Sequence, residues 1–479
     1  MTALWTTEAM RAAMRADTSG ALPAEIGGIS IDSRTLAKGD AFFAIQGDNR
    51  DGHDFAEAAL KVGAGLAVIA RGQAGRFANA PALIVDDVLE GLRALARVAR
   101  ARTRANVVAV TGSVGKTGTK EALRLALSAD GKTHASAASY NNHWGVPLSL
   151  ARCPADVKYA VFEIGMNHAG EITPLTKLVR PHAAIVTAIE PVHLEYFGSL
   201  DKIADAKAEI FLGIEQGGAA ILNRDNAQYA RLAAAARSAK VERLVAFGED
   251  AQADARLLRF ALQADCSTVE ADILGQRVTY KLGAPGRHLV QNSLAVLAAC
   301  VIAGADLALG ALALNNLRPA SGRGARAILR LPSGTALLID ESYNANPASM
   351  AAALALLGQA PIGPHGRRIA VLGDMLELGD QSSRLHQALA APLAAAGVDL
   401  AFCAGPSMRA LWEALPSGVR GGYAETAAAL EPAVLEAIRD GDAIMVKGSL
   451  GSKMGPIVKA LERQFPAQAA LEQAPVQGA

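Results

Sequence analysis

The chain has 479 residues, 51% hydrophobic and 19% charged, which predicts roughly two to four folded domains and excludes general disorder. Its 47 Lys and Arg residues against 46 Asp and Glu residues leave a net charge of +1, so the charge excess of a dedicated nucleic-acid or membrane-surface protein is absent. The N-terminal residues show no secretory signal and the four cysteines are isolated in the sequence, so we expect a cytoplasmic protein with reduced thiols.

The first region, residues 1–104, mixes short predicted strands with glycine-rich turns and closes in a helix for which Asp86 or Asp87 is the predicted cap. Apolar residues at 88, 89, 92, 95, 96 and 99 follow the 3.6-residue period of that helix. Arginines lie along its end and just after it, at positions 93, 97, 100, 102 and 104. We expect them to form a solvated face, since cations are favoured near a helix C-terminus.

The second region, residues 105–325, opens with a β-branched run at 106–111 that predicts a buried parallel strand. Similar runs alternate with helical stretches, at 159–164, 183–187 and 219–222, which is the pattern of a parallel α/β sheet. Three alternating runs between 257 and 282 predict an antiparallel meander appended to that sheet. The apolar stretch 294–314 has the length of a membrane span, but Asp306 and the breaks at Gly304 and Gly310 predict two buried helices instead.

The third region, residues 326–479, contains four predicted strands, at 336–340, 368–372, 400–404 and 443–446. Each runs into a polar or glycine-containing loop. The pattern predicts a second α/β unit whose ligand-binding face lies at the carboxyl ends of its strands.

A phosphate-binding loop is predicted at TGSVGKT, residues 111–117, between the strand 106–111 and an amphipathic helix. Gly112 and Gly115 let backbone N–H groups around Ser113 point into a cavity, and the helix N-terminus adds its dipole. Lys116 then reaches the β- and γ-phosphates, and the Thr117 hydroxyl suits Mg²⁺. The spacing departs from the usual pattern, because Val110 stands where the first glycine is expected.

This loop and the Lys-Glu pair at 120–121 resemble the ATP loop of the Mur ligases, the amide-forming enzymes that build the peptidoglycan stem peptide. The block DSRTLAKGDAFFAIQGDNRDGHDF (32–55) is similar to the family's uridine-binding domain. Further blocks follow in the family's order: YNNHWGVPL (140–148), FEIGMNHAGEI (162–172), HLEYFGS (193–199), AKAEIF (206–211), NRDN (223–226), GRHLVQN (286–292), DESYNANPASM (340–350) and LGDMLELG (372–379). The last two blocks favour the members that add D-alanyl-D-alanine.

The resemblance implies an α/β fold of three domains: a uridine-nucleotide-binding α/β module (1–104), a central P-loop-type ATPase with a parallel sheet and a small antiparallel sheet (105–325), and a Rossmann-like C-terminal ligase domain (326–479). ATP is expected between the second and third. The implied reaction phosphorylates the terminal carboxylate of UDP-N-acetylmuramoyl-tripeptide, after which the amine of D-alanyl-D-alanine attacks the acyl phosphate. The partners are therefore small molecules, with no nucleic acid and no membrane insertion, and we expect a monomer.

A magnesium site is expected around Glu163, which ends a buried strand, where a carboxylate is costly unless it is paired or bound to metal. The resemblance makes Thr117 and Glu163 Mg²⁺ ligands and gives His193 to a second Mg²⁺; an ordinary core or loop histidine is the alternative for His193. Lys207 lies on a predicted helix, and the resemblance implies that it reacts with CO₂ to give a carbamate that serves as a further ligand. That chemistry needs a buried, neutral amine, whereas the alternative is a solvated lysine paired with Asp205 or Glu209.

The remaining site residues are also implied by the resemblance. Nucleotide contacts are expected at Asn292, Arg323, Asp340, Tyr343 and Asn344, for which a helix cap, a turn asparagine or a packed tyrosine are the alternatives. Contacts to the UDP-sugar substrate are expected at Ser33, Arg34, Gly47, His53, Asn141 and Asn142. Lys447 is a candidate for the carboxylate of the dipeptide, and no role is predicted for His386.

Two other functions remain open at this point. One is another ligase of the same superfamily, such as folylpolyglutamate synthase or the enzyme that adds the third amino acid; the blocks 32–55 and 340–347 disfavour both. The other is a nucleotide-driven conformational switch, which predicts ATP hydrolysis that is independent of any UDP-sugar.

Overall fold

The fold is described by a computed structural model for residues 3–47, 50–137, 139–192, 194–263, 265–319 and 321–466. Its strands form a two-stranded ribbon and sheets of five, nine and six strands, with helices packed between and around them. The predicted mixed α/β architecture is therefore confirmed. The boundaries of the three domains stay a prediction.

The N-terminal part is built on the five-stranded sheet, in the order β2-β7-β6-β5-β4, in which β2 is antiparallel and the other neighbours are parallel. A ribbon of β1 and β3 lies beside it. The elements are β1 (Trp5–Thr6), α1 (Thr7–Met14), β2 (Asp17–Ser19), β3 (Glu25–Ile26), β4 (Ile29–Ser30), β5 (Ala41–Phe43), α2 (His53–Lys61), β6 (Leu66–Ala70), β7 (Ala82–Val85) and α3 (Val88–Arg102).

Helix α3 joins this part of the chain to the next one. Asp87 caps it as predicted, since its carboxylate accepts a hydrogen bond from the Glu90 N–H at 2.7 Å. The predicted solvated face is wrong for two of the arginines. Arg100 is buried and donates to the carbonyl of Val179 at 2.6 Å, and the Arg102 guanidinium lies 3.4 Å from the centre of the Trp5 ring. These cations satisfy carbonyls and cover an aromatic face at the junction, which holds them out of water.

The central part is built on the nine-stranded sheet, in the order β16-β15-β14-β13-β12-β11-β8-β10-β9. Strands β8 to β13 are parallel, and the predicted antiparallel meander is formed by β14, β15 and β16. The strands are β8 (Asn106–Thr111), β9 (Thr133–Ala135), β10 (Tyr159–Glu163), β11 (Ala183–Val186), β12 (Ala219–Asn223), β13 (Arg243–Gly248), β14 (Ala255–Leu262), β15 (Ser267–Ile273) and β16 (Gln276–Leu282).

Helices cover both faces of this sheet, and two apolar clusters fill the layers between them. The helices are α4 (Lys116–Ser128), α5 (Gly145–Ala151), α6 (Ile172–Val179), α7 (Leu194–Phe197), α8 (Leu200–Ala208), α9 (Tyr229–Ser238), α10 (Arg287–Ile302) and α11 (Leu307–Ala313). The apolar stretch 294–314 is thus two helical pieces separated by a turn at Gly304, as predicted. Among the helices of the described residues, none has the length and hydropathy needed to cross a membrane.

The C-terminal part is built on the six-stranded sheet, in the order β17-β18-β22-β19-β20-β21, in which only β17 is antiparallel to its neighbour. The elements are β17 (Ala325–Leu331), β18 (Gly334–Glu341), α12 (Pro347–Gly358), β19 (Arg368–Gly373), α13 (Ser382–Gln387), α14 (Ala390–Ala395), β20 (Leu400–Ala404), α15 (Arg409–Ala414), β21 (Arg420–Ala424), α16 (Ala427–Ala437), β22 (Ala443–Lys447) and α17 (Gly455–Gln464).

Candidate active site

A cavity of about 730 Å³ lies between the central and C-terminal sheets. Its wall includes residues at the carboxyl ends of β10 (Glu163), β12 (Asn223), β18 (Glu341) and β22 (Lys447), together with the loop that follows β8. The strand ends of two parallel sheets therefore face one space, the place where α/β folds bind ligands.

The loop between β8 and α4 has the backbone that the sequence predicts for phosphate binding. Gly115 immediately precedes α4 with a φ of 84°, and Gly112 has a φ of 147°. A Cβ atom at Gly112 would overlap the Thr187 hydroxyl, and one at Gly115 would lie 2.6 Å from Asn292 Nδ2. Both positions therefore need glycine, for conformation and for space.

Lys116 lies over this loop, half-buried in the cavity wall. Its Nζ donates to the carbonyl of Gly112 at 2.7 Å and to that of Ser113 at 3.3 Å. Burial lowers the pKa of Lys116; the Glu163 carboxylate opposes that shift and the Arg323 guanidinium adds to it. Two cations and one carboxylate thus meet where a triphosphate would lie.

Glu163 provides an oxygen that the protein leaves unpaired. The residue is 1% exposed, and its Oε1 accepts a hydrogen bond from Asn141 Nδ2 at 2.7 Å. Oε2 is buried and has no hydrogen-bond partner in the described part of the chain. A buried carboxylate oxygen in this state is costly unless a cation binds it.

The donor atoms near Glu163 suit Mg²⁺ better than they suit a metal that takes all of its ligands from protein side chains. The described residues contain no group of three or more His, Cys, Asp or Glu side chains placed to hold an ion. Mg²⁺ typically takes one or two carboxylates and completes its shell with substrate phosphates and water. Thr117 can add its hydroxyl, which lies 3.4 Å from Ser139 Oγ on the same wall. His193, the other predicted ligand, falls outside the described residues.

Lys207 is buried on α8, and the solvated alternative is wrong. It is 1% exposed, and burial, with the nearby Lys116 charge, holds its pKa well below the ordinary value. The two acidic neighbours are engaged elsewhere, since Asp205 pairs with Arg231 at 2.9 Å and Glu209 accepts the Gly170 N–H at 2.6 Å. Within the ranges described, no hydrogen bond or ion pair reaches the Lys207 amine. These surroundings favour a neutral amine.

Four of the predicted nucleotide contacts line the cavity: Asn292, Arg323, Tyr343 and Asn344. The Arg323 guanidinium stacks on the Tyr343 ring at 4.3 Å and reaches Ser139 Oγ at 3.5 Å. Asp340 is not among the lining residues. Its carboxylate accepts the Gly322 N–H at 2.7 Å and the Ser342 hydroxyl at 2.6 Å, so it holds the chain before β17, and its contact with the nucleotide stays a prediction.

The predicted UDP-sugar contacts also lie in different surroundings. Arg34 is exposed on its surface loop, beside Ser33. Its Nε donates a hydrogen bond to the Asp32 carboxylate at 2.9 Å, and its Nη2 donates another at 2.7 Å. These hydrogen bonds lower the pKa of Asp32 to about 2. The rest of the Arg34 guanidinium is accessible, since 84% of the side chain is exposed. The Gly47 N–H donates to the Arg50 carbonyl at 2.9 Å.

His53 and Asn142 both contact the protein's own backbone. His53 is 3% exposed, its Nδ1 bonds Asp51 Oδ1 at 2.5 Å, and its Nε2 accepts the Ala70 N–H at 2.9 Å. Because Nε2 accepts, Nδ1 carries the proton, and no ring nitrogen remains for a substrate. Asn142 Oδ1 accepts the Gly145 N–H at 2.9 Å at the start of α5. Only Asn141 of the asparagine pair reaches the cavity.

Several residues of the site were not predicted. Ser139 connects Thr117 with Arg323, and Thr187 lies beneath the phosphate loop. Lys447 is already paired, with Glu341 Oε2 at 3.1 Å, and donates to the Asn344 carbonyl at 2.9 Å. The signal that could have found these two residues is their place at the end of a buried strand: Thr187 ends the predicted strand 183–187, and Glu341 follows the predicted contact Asp340.

His386 holds a turn of the C-terminal sheet. It is fully buried, its Nε2 accepts the Met375 N–H at 2.9 Å, and its Nδ1 donates to the Ser382 carbonyl at 2.7 Å. Burial lowers the pKa of His386, which favours this neutral form. The imidazole therefore supports the loop after β19 in the way that His53 supports the loop before α2.

Comparison with known families covers most of the chain. The model of the Mur ligase middle domain matches residues 110–300, that of the Mur ligase glutamate ligase domain matches 329–450, and that of the Mur ligase family catalytic domain matches 25–103. The three matched segments coincide with the central, C-terminal and N-terminal sheets.

Individual relatives are similar over nearly their whole length. The UDP-N-acetylmuramoyl-tripeptide–D-alanyl-D-alanine ligase of Escherichia coli is 37% identical over 442 residues, which are 91% of this chain and 93% of the relative. The same ligase of Rickettsia prowazekii is 33% identical over 430 residues, 90% and 94% of the two chains. A crystal structure of MurF from Acinetobacter baumannii superposes with a TM-score of 0.82 at 31% identity, over 96% of this chain and 99% of that one. By its matched domains, its sequence and its fold, the chain belongs to the Mur ligase family.

Proposed function

We propose that the chain is an ATP-dependent, ADP-forming ligase that joins D-alanyl-D-alanine to UDP-N-acetylmuramoyl-tripeptide in peptidoglycan precursor synthesis. The observation that carries this proposal is the similarity, over nine-tenths of the chain, to ligases that bear that name. The cavity supports it, because a phosphate loop, a cation-seeking carboxylate and an arginine from the far wall converge there.

The described side chains suit carboxylate activation. Backbone N–H groups of the loop and the Lys116 ammonium bind the phosphates, while Arg323 approaches from the opposite side. The terminal carboxylate of the tripeptide attacks the γ-phosphorus, which releases ADP and leaves an acyl phosphate. The dipeptide amine then attacks the carbonyl carbon, a proton leaves the nitrogen, and the tetrahedral intermediate expels phosphate. Mg²⁺, held by Glu163 and Thr117 when bound, supplies neutralisation of the charge on the phosphoryl oxygens.

Lys207 is proposed to carry a carbamate. Its neutral amine attacks CO₂, a C–N bond forms, and the proton lost from nitrogen leaves an anionic group with two oxygens. The depressed pKa and the absence of a carboxylate partner in the described residues support this step. A carbamate would also place a negative charge near the Lys116 ammonium.

Substrate recognition is proposed to divide among the sheets. Ser33, Arg34 and Gly47 would bind the uridine diphosphate, and Asn141 would approach the muropeptide next to Glu163. Lys447 forms an ion pair with Glu341. We propose that it faces the carboxylate of the dipeptide and shares its charge between that carboxylate and Glu341. The monomeric state and the cytoplasmic location stay predictions.

ADP release with different amine acceptors tests the function. With UDP-N-acetylmuramoyl-tripeptide present, we expect rapid ADP formation with D-alanyl-D-alanine and little with single amino acids or L-glutamate. Preference for meso-diaminopimelate or glutamate would assign the chain to another branch of the superfamily. ADP formation that ignores the UDP-sugar would favour the conformational switch instead.

A further inference from the structure

The phosphate loop rests on a short segment of the chain, residues 187–190, that follows β11. Thr187 begins the segment and is 1% exposed. Its hydroxyl donates to the Val114 carbonyl at 2.5 Å, while its backbone N–H donates to the Thr111 carbonyl at 3.0 Å. The same hydroxyl fills the space in which a side chain at position 112 would lie.

Ser113 fixes the other side of the loop to the same segment. Its N–H donates to the Ala188 carbonyl at 2.8 Å. Its hydroxyl donates to the Glu190 carbonyl at 3.0 Å and accepts the Glu190 N–H at 3.0 Å. The loop therefore has hydrogen bonds to the segment 187–190 through both main chain and side chains.

The segment 187–190 in turn accepts hydrogen bonds from side chains at the end of β12 and just after it. Asn223 Nδ2 donates to the Thr187 carbonyl at 3.2 Å, and Asn226 Nδ2 donates to the Ile189 carbonyl at 3.1 Å. Asn223 is the last residue of β12, and Asn226 follows that strand. Hydrogen bonds thus connect β12 with the segment 187–190, and that segment with the phosphate loop.

We propose that the Thr187 hydroxyl is a positioning group that sets the direction of the peptide between Val114 and Gly115. The carbonyl of Val114 and the N–H of Gly115 belong to one planar peptide and point to opposite sides. Because Thr187 holds the carbonyl beneath the loop, the Gly115 N–H is turned toward the phosphate side. Without the hydroxyl, rotation of this peptide would aim a carbonyl oxygen at the phosphates and remove a donor.

The inference rests on the proposed function for the identity of the nucleotide. A measurement of nucleotide binding tests the role of Thr187 separately from the proposed ligase activity, because binding needs no ligation. The probe is Mg·ADP, titrated into the full chain in a calorimeter, with the parent protein compared with Thr187→Val and Thr187→Ser. Valine keeps the shape of threonine and lacks the hydroxyl, whereas serine keeps the hydroxyl.

Thr176→Val is the matched control. Thr176 lies on α6, is fully buried, and its hydroxyl donates to the Ile210 carbonyl at 2.7 Å. Its replacement by valine therefore also removes a buried hydroxyl-to-carbonyl hydrogen bond, and neither residue lines the cavity. We expect Thr187→Val to weaken Mg·ADP binding about tenfold, Thr187→Ser to stay within about twofold of the parent, and Thr176→Val to leave binding unchanged.

Three results would overturn the proposal: unchanged binding in Thr187→Val, failure of Thr187→Ser to retain binding, or an equal loss in Thr176→Val. A parent protein that does not bind Mg·ADP at all would count against both this inference and the proposed function. If Thr187→Val is too unstable to titrate, Thr187→Ala takes its place, because it differs from Thr187→Ser only by the hydroxyl. Equal Mg·ADP binding by Thr187→Ala and Thr187→Ser would overturn the proposal.

Discussion

Removal of the Lys207 side chain tests the most unusual feature of the site. The amine is 1% exposed beside the Lys116 charge and has no counter-ion in the described residues. A plain lysine here would act only through packing, whereas a carbamate would supply anionic oxygens to the metal and the γ-phosphate. Loss of one preorganised electrostatic group in an active site lowers kcat by about a hundredfold to a thousandfold. We therefore expect Lys207→Ala to lose activity by at least about a hundredfold.

The assay is ADP release at saturating substrates, with and without short carboxylic acids. An acid of acetate size should restore part of the activity of Lys207→Ala by placing oxygens in the vacated space, and a neutral amide of the same size should not. Lys207→Arg should be as inactive as the alanine variant, since arginine remains cationic and cannot form a carbamate. Bound Mg·ADP should protect all variants against thermal unfolding, which shows that they are folded. A Lys207→Arg protein with parental activity would falsify the carbamate.

Three further substitutions examine the other parts of the site. Lys116→Ala should lower kcat by at least about a hundredfold with little change in Tm, because it removes charge from the phosphates; normal turnover would refute the phosphate-loop assignment. Glu163→Gln keeps the size of the side chain and removes its charge, so the Mg²⁺ concentration for half-maximal activity should rise, and an unchanged Mg²⁺ requirement would exclude Glu163 as a ligand. Arg34→Ala should raise KM for the UDP-sugar roughly tenfold and leave KM for ATP unchanged. The same variant should return the pKa of Asp32 from about 2 toward its ordinary value, which NMR titration of the carboxylate measures. The depressed pKa gives the parent extra stability that is fully present above the unfolded-state pKa of 3.8 and is lost as pH falls toward 2, so the difference in stability between parent and variant should shrink over that range.

The sequence predicts features that are encoded in contiguous residues. The phosphate loop is one, since a buried strand, two glycines and a helix start follow one another at 106–116. The meander 257–282 and the two helices within 294–314 are others, because their periodicity is local. Strands β9, β13, β17 and β21 were missed. β9 has only three residues, β17 is the antiparallel edge of its sheet, and β21 carries two glycines that weaken the strand pattern.

Side-chain roles are harder to predict because they depend on which partner folding brings near. Asp340, His53 and Asn142 have the residue types of ligand contacts, yet backbone N–H groups occupy them. The short spacings Asp51-x-His53 and Asn142-x-x-Gly145 are local hydrogen-bonding patterns and could have indicated this. Nothing local distinguishes Lys207 from a solvated lysine, since its burial arises from packing of α8 against the rest of the central sheet.

Transfer of isotope from the tripeptide carboxylate to phosphate tests the central claim most directly. The reaction is run with UDP-N-acetylmuramoyl-tripeptide labelled with ¹⁸O in its terminal carboxylate, together with ATP, Mg²⁺ and D-alanyl-D-alanine. Activation through an acyl phosphate leaves one labelled oxygen on the released phosphate for each amide formed. We expect mass spectrometry to find the label in phosphate and the dipeptide joined to the UDP-sugar. Phosphate without label, or a UDP-sugar that gains no dipeptide while ATP is consumed, would contradict the account.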